Sequence, residues 1–229
     1  MGWEKIYNDV NNTVGSCFVL NFISHLSLTN SFIKLDILKQ KIILASQSPR
    51  RKQLMREAGF LNFTTRSTDV EENYPSDLPV QEIAPFLARK KAMKAKPWIE
   101  KDEIVLTADS VVLLGNKVYE KPKDYEDAVR ILKELSGQMH QVITGVCLCS
   151  KEKERVFSGT TDVYFDDLAN DEINYYIHTF KPYDKAGSYG VQEWLGHCKV
   201  RKLEGSFTNV MGLPMHLVYK ELSAFLKES

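Results

Sequence analysis

The chain has no apolar run near the roughly 20 residues a helix needs to cross a bilayer, and its moderately apolar Cys17–Leu28 stretch is broken by Asn21, Ser24 and His25. It has no excess of either charge: 30 Lys and Arg balance 30 Asp and Glu, for a formal net charge of zero. Broad non-specific attraction to nucleic acid or an anionic membrane is therefore not expected. Cysteine is scarce. Cys17, Cys147, Cys149 and Cys198 contain no CxxC pair, and a disulfide framework is not expected in a chain of this size. Cys147 and Cys149 alternate along an apparent strand and read as reduced and structural. The five histidines show no paired zinc spacing. Repeats and low-complexity linkers are lacking too. A soluble, cytoplasmic globular protein is the expectation.

What is present fits one large domain or two small ones, long enough to bury a sizeable core. Residues 1–40 read as an N-terminal extension, dispensable or poorly ordered, and residues 41–229 as the domain proper. The extension makes a poor signal peptide, because Glu4, Lys5 and Asp9 give no clear positive start. From Lys41 onward, strand and helix patterns alternate. Strands are expected at Lys41–Ala45, Phe63–Ser67, Ile104–Ala108, Val111–Leu114, Gln141–Ser150, Thr160–Phe165 and Val200–Leu203. Helices are expected at Arg50–Ala58, Pro79–Lys96, Tyr125–Leu135, Asp171–His178 and Leu213–Phe225. That order predicts a mixed α/β layered fold.

The most informative stretch is Ile42-Ile43-Leu44-Ala45-Ser46-Gln47-Ser48-Pro49-Arg50-Arg51-Lys52. A buried strand runs through a sharp turn into a helix whose first turn carries three cations. The helix dipole is already positive there, so this crowding is unfavourable unless an anion sits among the cations. Phosphate is the usual guest, and Ser46 and Ser48 add hydroxyl donors. The plain alternative is a solvated basic helix start.

Asp109, at the end of the apolar run Ile104–Ala108, stands where open α/β sheets place their ligands. A carboxylate there suits a general base toward water or a ligand for a hard divalent cation. Glu71 and Glu72 sit in an acidic loop far away in sequence and can converge on the same cation. Hard oxygen donors point to magnesium or manganese rather than zinc. Lys91, in Arg89-Lys90-Lys91, and Lys121, in Glu120-Lys121-Pro122, supply further positive charge. Asp184-Lys185-Ala186-Gly187-Ser188-Tyr189-Gly190-Val191-Gln192 is a glycine-punctuated segment that allows close backbone approach to a ligand. In it, Tyr189 offers an aromatic face, and Gln192 can pair with a nucleobase edge as donor and acceptor together. Gly205 to Pro214 is a second such loop.

These segments resemble the Maf family of nucleoside triphosphate pyrophosphatases. The likeness is carried by Ser46–Arg51, Ala108–Val112, Glu120–Pro122, Leu135–Gly137, Thr144–Val146, Asp184–Gly190 and Asn209–Pro214, in the family's order and spacing. It runs from about Lys41 to the C-terminus. The resemblance implies a mixed twisted sheet with flanking helices forming a cleft, similar to inosine triphosphate pyrophosphatases. It implies hydrolysis of the α–β phosphoanhydride of a nucleoside triphosphate with a divalent metal, Mg or Mn. The implied proton acceptor is Asp109, with Glu71 and Asp109 toward the metal. Ser46, Ser48, Arg50, Arg51, Lys91, Ser110, Lys121, Lys185 and Gln192 fall at the substrate, and Arg50, Ser110 and Gln192 bear on base choice. The Lys185–Gln192 pattern is similar to the dTTP and UTP branch rather than the 7-methyl-GTP branch. No nucleic acid or membrane partner is implied, and a homodimer is left open. Two departures stand out: Ser110 replaces a usual threonine, and Glu193-Trp194 follows Gln192 where a glycine is frequent. The competing readings are a pyrophosphatase for other modified nucleotides, and a non-catalytic nucleotide-binding regulator of septum formation.

Overall fold

The computed structural model describes residues 36–228. The expectations for residues 1–35, and for Cys17, lie outside the described residues. Within them a seven-stranded mixed sheet runs in the order β2-β1-β3-β5-β6-β7, with β4 paired to β3. The strands are β1 (Lys41–Leu44), β2 (Phe63–Thr65), β3 (Glu103–Leu114), β4 (Lys117–Tyr119), β5 (Met139–Cys149), β6 (Glu154–Phe165) and β7 (Val200–Glu204). The α-helices are α1 (Pro49–Glu57), α2 (Ile83–Ala95), α3 (Tyr125–Leu135), α4 (Asn170–Phe180), α5 (Trp194–Cys198), α6 (Phe207–Val210) and α7 (Met215–Lys227). The β1 strand lies parallel to β2 and β3, and the other pairings are antiparallel. The expected mixed α/β sheet with flanking helices is what the chain builds.

Side-chain alternation divides the core between the two faces of the sheet. Ile43, Val105, Cys147 and Cys149 pack with Ala88, Ala92 and Ala95 of α2 on one face. Ile42, Leu44, Leu106, Val146 and Leu148 pack on the other, with the apolar stripes of α3, α4 and α7. Helix α3 is capped by Asp124, whose carboxylate accepts the Asp127 N–H at 2.8 Å, a bond worth about 1 kcal/mol. Helix α1 closes on Gly59 at φ +82°. There the Gly59 N–H bonds to the Arg56 carbonyl and the Phe60 N–H to that of Met55, so glycine takes the left-handed position this cap requires.

Two features position the site. The first is the closeness of α2 to the sheet. Its inward face carries Ala84, Ala88, Ala92 and Ala95 beside Ile83 and Leu87, and a Cβ built on Gly145 of β5 would meet the backbone N of Pro85 at 2.2 Å and the carbonyl O of Ala84 at 2.4 Å. The Thr107 hydroxyl, fully buried, bonds to the Ala88 carbonyl at 2.7 Å across this contact. The second is an interruption along one edge of β3. That edge pairs with β1 at Glu103–Leu106 and with β4 at Val112–Leu114. Residues 107–111 between them have no strand partner there, while β5 covers the opposite edge throughout.

The structure corrects one reading of this strand. Ile104–Ala108 and Val111–Leu114 are a single strand, and Asp109 lies within it rather than at its carboxyl end. Asp109 and Ser110 have turn-like identities but pair in register with Gly145 and Thr144 of β5. Asp109 nevertheless lies just past the carboxyl end of β1, where the parallel part of the sheet stops.

Candidate active site

The gap in β3 opens into a cavity of about 700 Å³. Alternation along β3 turns Asp109 toward α2 and Ser110 toward the opposite face. The cavity is therefore reached from both. Ser46, Ser48, Arg50, Arg51, Lys91, Asp109, Ser110, Lys121, Lys185 and Gln192 all line it, so the candidates scattered from position 46 to position 192 meet in one place. Glu71 is not among the lining residues. It is exposed, and its carboxylate accepts from the Asn73 amide at 3.0 Å. Its neighbour Glu72 turns inward instead.

On the α2 side, Lys91 rides on the turn after the buried Ala88. Its ammonium donates to the Asp109 carboxylate and, at 2.7 Å, to Glu72 Oε1, while Lys121 Nζ reaches Glu72 Oε2 at 3.3 Å. Asp109 is 7% exposed, so its charge is desolvated and needs this partner. Burial pushes the Glu72 carboxyl up, but the hydrogen bond and charge of Lys91, then of Lys121, outweigh it and hold Glu72 below the usual carboxylate range. Lys90 clamps the acidic loop to α2 by donating to the carbonyls of Glu71 and Asn73 at 3.0 and 3.1 Å.

Arg51 fills the interrupted edge of the sheet. Its guanidinium donates to the Ala108 carbonyl at 2.8 Å, to the Gly212 carbonyl at 2.7 Å and to Ser110 Oγ at 3.2 Å. The first of these satisfies a strand carbonyl that has no partner strand beside it. Burial lowers the Arg51 pKa, with Asp109 acting against that and Arg50 adding to it. Ser110 Oγ also lies 2.9 Å from the Thr144 hydroxyl, which in turn bonds to the Asn209 carbonyl at 3.0 Å. Thr144 was absent from the sequence candidates; its register opposite Ser110 is the signal that finds it.

At the mouth, α1 starts without a side-chain cap from Ser48, and Pro49 takes a first-turn position that needs no N–H partner. Ser48 N–H bonds to Ser46 Oγ at 3.2 Å. Arg50 reaches across to Asp184 at 2.8 Å, and Lys185 Nζ sits between Asp184 at 2.8 Å and Glu193 at 3.1 Å. Gln192 leaves its Oε1 buried with no hydrogen-bond partner. Such an acceptor costs about 1–3 kcal/mol until a donor reaches it.

Donors for a hard cation are present in part. Asp109 and Glu72 hold one ammonium between them, a point where two carboxylates already share a positive charge. Among the described residues no cluster of three or more His, Cys, Asp or Glu side chains forms a ready-made metal cage. A hydrated ion held by one or two carboxylates and by substrate phosphates fits this donor set, and a dedicated protein cage does not.

A mixed sheet whose central strand is interrupted on one edge, over a cavity lined by both cations and carboxylates, defines an α/β protein with a highly charged cleft. Residues 41–225 match the model of the Maf-like protein family, and the chain belongs to that family. Three relatives each bear the name dTTP/UTP pyrophosphatase. The Porphyromonas gingivalis protein is 45% identical over 192 residues, 83% of this chain and 96% of its own. The Bacteroides thetaiotaomicron protein is 47% identical over 184 residues, 80% of this chain and 95% of its own. The Cytophaga hutchinsonii protein is 46% identical over 201 residues, 88% of this chain and 86% of its own.

Proposed function

We propose that this protein hydrolyses nucleoside triphosphates, dTTP and UTP foremost, to the nucleoside monophosphate and pyrophosphate. The observation that carries the reading is the convergence in one cavity of a buried carboxylate, Asp109, with Lys91 and Lys121 on one side and the unpartnered Gln192 Oε1 on the other. The names of the relatives support the choice of substrate.

In the proposed reaction Asp109 accepts a proton from a water molecule. The water oxygen forms a bond to the α-phosphorus, the bond from that phosphorus to the bridging oxygen breaks, and pyrophosphate leaves. Lys91 and Lys121, paired with Glu72 in the absence of substrate, transfer their hydrogen bonds to phosphate oxygens as charge develops there. Arg50 and the uncapped start of α1 receive the remaining negative charge. A magnesium or manganese ion held by Asp109 and Glu72 would spread charge over the phosphates. Glu72, which lines the cavity, is proposed for this place instead of the expected Glu71, which does not line it.

Uracil and thymine present an N3–H between two carbonyls, and the Gln192 Oε1 accepts that hydrogen while its amide group donates to a flanking carbonyl. Cytosine has no N3–H and turns the N3 lone pair toward an Oε1 held at that place. The cellular role that follows is removal of surplus or aberrant nucleotides from the soluble pool. Among the described residues no helix is long and apolar enough to cross a membrane.

The test is product analysis of dTTP with magnesium or manganese. The expected products are dTMP and pyrophosphate, with turnover lost on chelation. Release of dTDP and orthophosphate as main products contradicts attack at the α-phosphorus. A protein fastest on 7-methyl-GTP or ITP contradicts the base assignment.

A further inference from the structure

Glu193, where the family pattern has a frequent glycine, sits behind the cavity rather than in its lining, and its carboxylate is shared between two groups that do line or shape the pocket. Oε1 accepts from Lys185 Nζ at 3.1 Å, and Oε2 accepts from the Tyr176 hydroxyl. That hydroxyl, on a fully buried ring of α4, accepts the Gly190 N–H at 2.9 Å. The Glu193 N–H closes the turn on the Gly190 carbonyl at 3.0 Å. There is no slack beneath: a Cβ on Gly190 would stand 2.8 Å from both the Glu193 carboxyl carbon and the Gln192 side-chain nitrogen. The Glu193 side chain is 17% exposed and that of Lys185 8%, so both charges are largely desolvated and each depends on its partner.

We infer that Glu193 is a positioning residue for base recognition, fixing Lys185 with one carboxylate oxygen and the Gly190–Gln192 turn with the other, through Tyr176. This role rests on the nucleotide-hydrolysis reading above and specifies what holds the base end of that site. Glu193 makes no contact with substrate. Its work is to give Gln192 one orientation, so that an acceptor rather than a mobile amide meets the base. Burial and then the Glu193 carboxylate push the Tyr176 phenol up, so it stays a protonated donor toward Glu193 throughout the physiological range. Lys185 without Glu193 would fall back on Asp184 alone, the carboxylate that also holds Arg50. The rim would then lose one of the two negative charges that space its two cations.

The experiment compares kcat and KM for dTTP and CTP in the wild-type protein and in Glu193→Ala, Glu193→Gln, Tyr176→Phe and the Glu193→Ala/Tyr176→Phe double variant, with thermal midpoints recorded. Glu193→Ala is expected to raise KM for dTTP about tenfold, to lower kcat by less, and to cut the dTTP-over-CTP preference about tenfold. Glu193→Gln keeps an acceptor for Tyr176 and is expected to recover most of the base preference but not the KM. Tyr176→Phe is expected to lose the preference, and the double variant to be no worse than Glu193→Ala, because both act through one hydrogen-bonded chain. A lowered thermal midpoint with unchanged base preference in Glu193→Ala, or additive losses in the double variant, overturns the role. If Glu193→Ala does not fold, unchanged KM and preference in both Glu193→Gln and Tyr176→Phe overturn it equally. A wild-type protein that hydrolyses no triphosphate overturns the underlying reading and this role with it.

Discussion

The Lys91 ammonium is hydrogen-bonded to the Asp109 carboxylate, and both side chains are nine-tenths or so buried, at 12% and 10% exposure. The pair lies in a largely desolvated place, and Glu72 shares the same ammonium from the loop above. In the proposed reaction, phosphate oxygens draw Lys91 aside and leave Asp109 to act as the base.

Asp109→Asn removes the proposed proton acceptor while keeping its shape and a contact for Lys91. Turnover of dTTP should fall by about 10²–10⁴, with the thermal midpoint little changed. Steady-state rates beside a melting curve check this, and near wild-type turnover would remove Asp109 from the mechanism.

The cations should separate into two groups. Arg51 is committed to two backbone carbonyls and Ser110, so Arg51→Ala leaves buried acceptors unsatisfied and should destabilise the fold by about 2–4 kcal/mol. The Lys121 side chain is 54% exposed, so Lys121→Ala should change stability by less than about 0.5 kcal/mol while raising KM for the triphosphate. Denaturant titration and kinetics on the two variants distinguish these outcomes; equal stability losses would contradict the division.

Gln192→Ala should narrow the gap between dTTP and CTP about tenfold, by removing an acceptor that the correct base satisfies and the wrong one does not. The quantity to compare is the ratio of kcat/KM values. A ratio unaffected by the substitution would place base selection elsewhere in the cavity.

His140 predicts an acid-sensitive fold. It is 1% exposed, its Nε2 meets the Tyr189 hydroxyl at 2.8 Å, and its Nδ1 has no partner. Burial drives its pKa from 6.5 down to about 3. Between those values the unfolded chain binds a proton that the folded one refuses, so this contribution is complete above 6.5 and is lost as pH falls toward 3. Stability should drop by about 2 kcal/mol between pH 6.5 and 5 on this account. His140→Gln, which cannot titrate, should flatten the slope in urea melts across that range. An unchanged slope would assign the acid sensitivity to other groups.

Helix α3 was legible to the residue, because Ala128, Ile131, Leu132 and Leu135 form its stripe and Ser136-Gly137 ends it. Strand β3 was not. Both of its faces are covered, so it is buried almost throughout and shows no alternation, and Asp109-Ser110 resembles a turn. The more exposed half of β6, Glu154–Gly159, was missed because Val156 and Phe157 fall side by side between charged and small residues and show no alternation. Most of the cavity was legible from its cations, glycines and carboxylates. The choice between Glu71 and Glu72 was not, since a loop has no period that says which neighbour turns inward. Nor were Asp184 and Glu193 as partners, for a pairing such as Arg50 with Asp184 joins residues 134 positions apart and leaves no local trace.

The close seat of α2 over Gly145 has a consequence for how far this protein can drift in sequence. Lys91 reaches its two carboxylates from a helix whose height above the sheet is set by a missing methyl group. Any side chain at Gly145 acts as a shim, raising the whole helix and carrying the ammonium away from Asp109. The working clearance of the site is gauged by a residue with no chemistry of its own, directly beside the aspartate in the next strand.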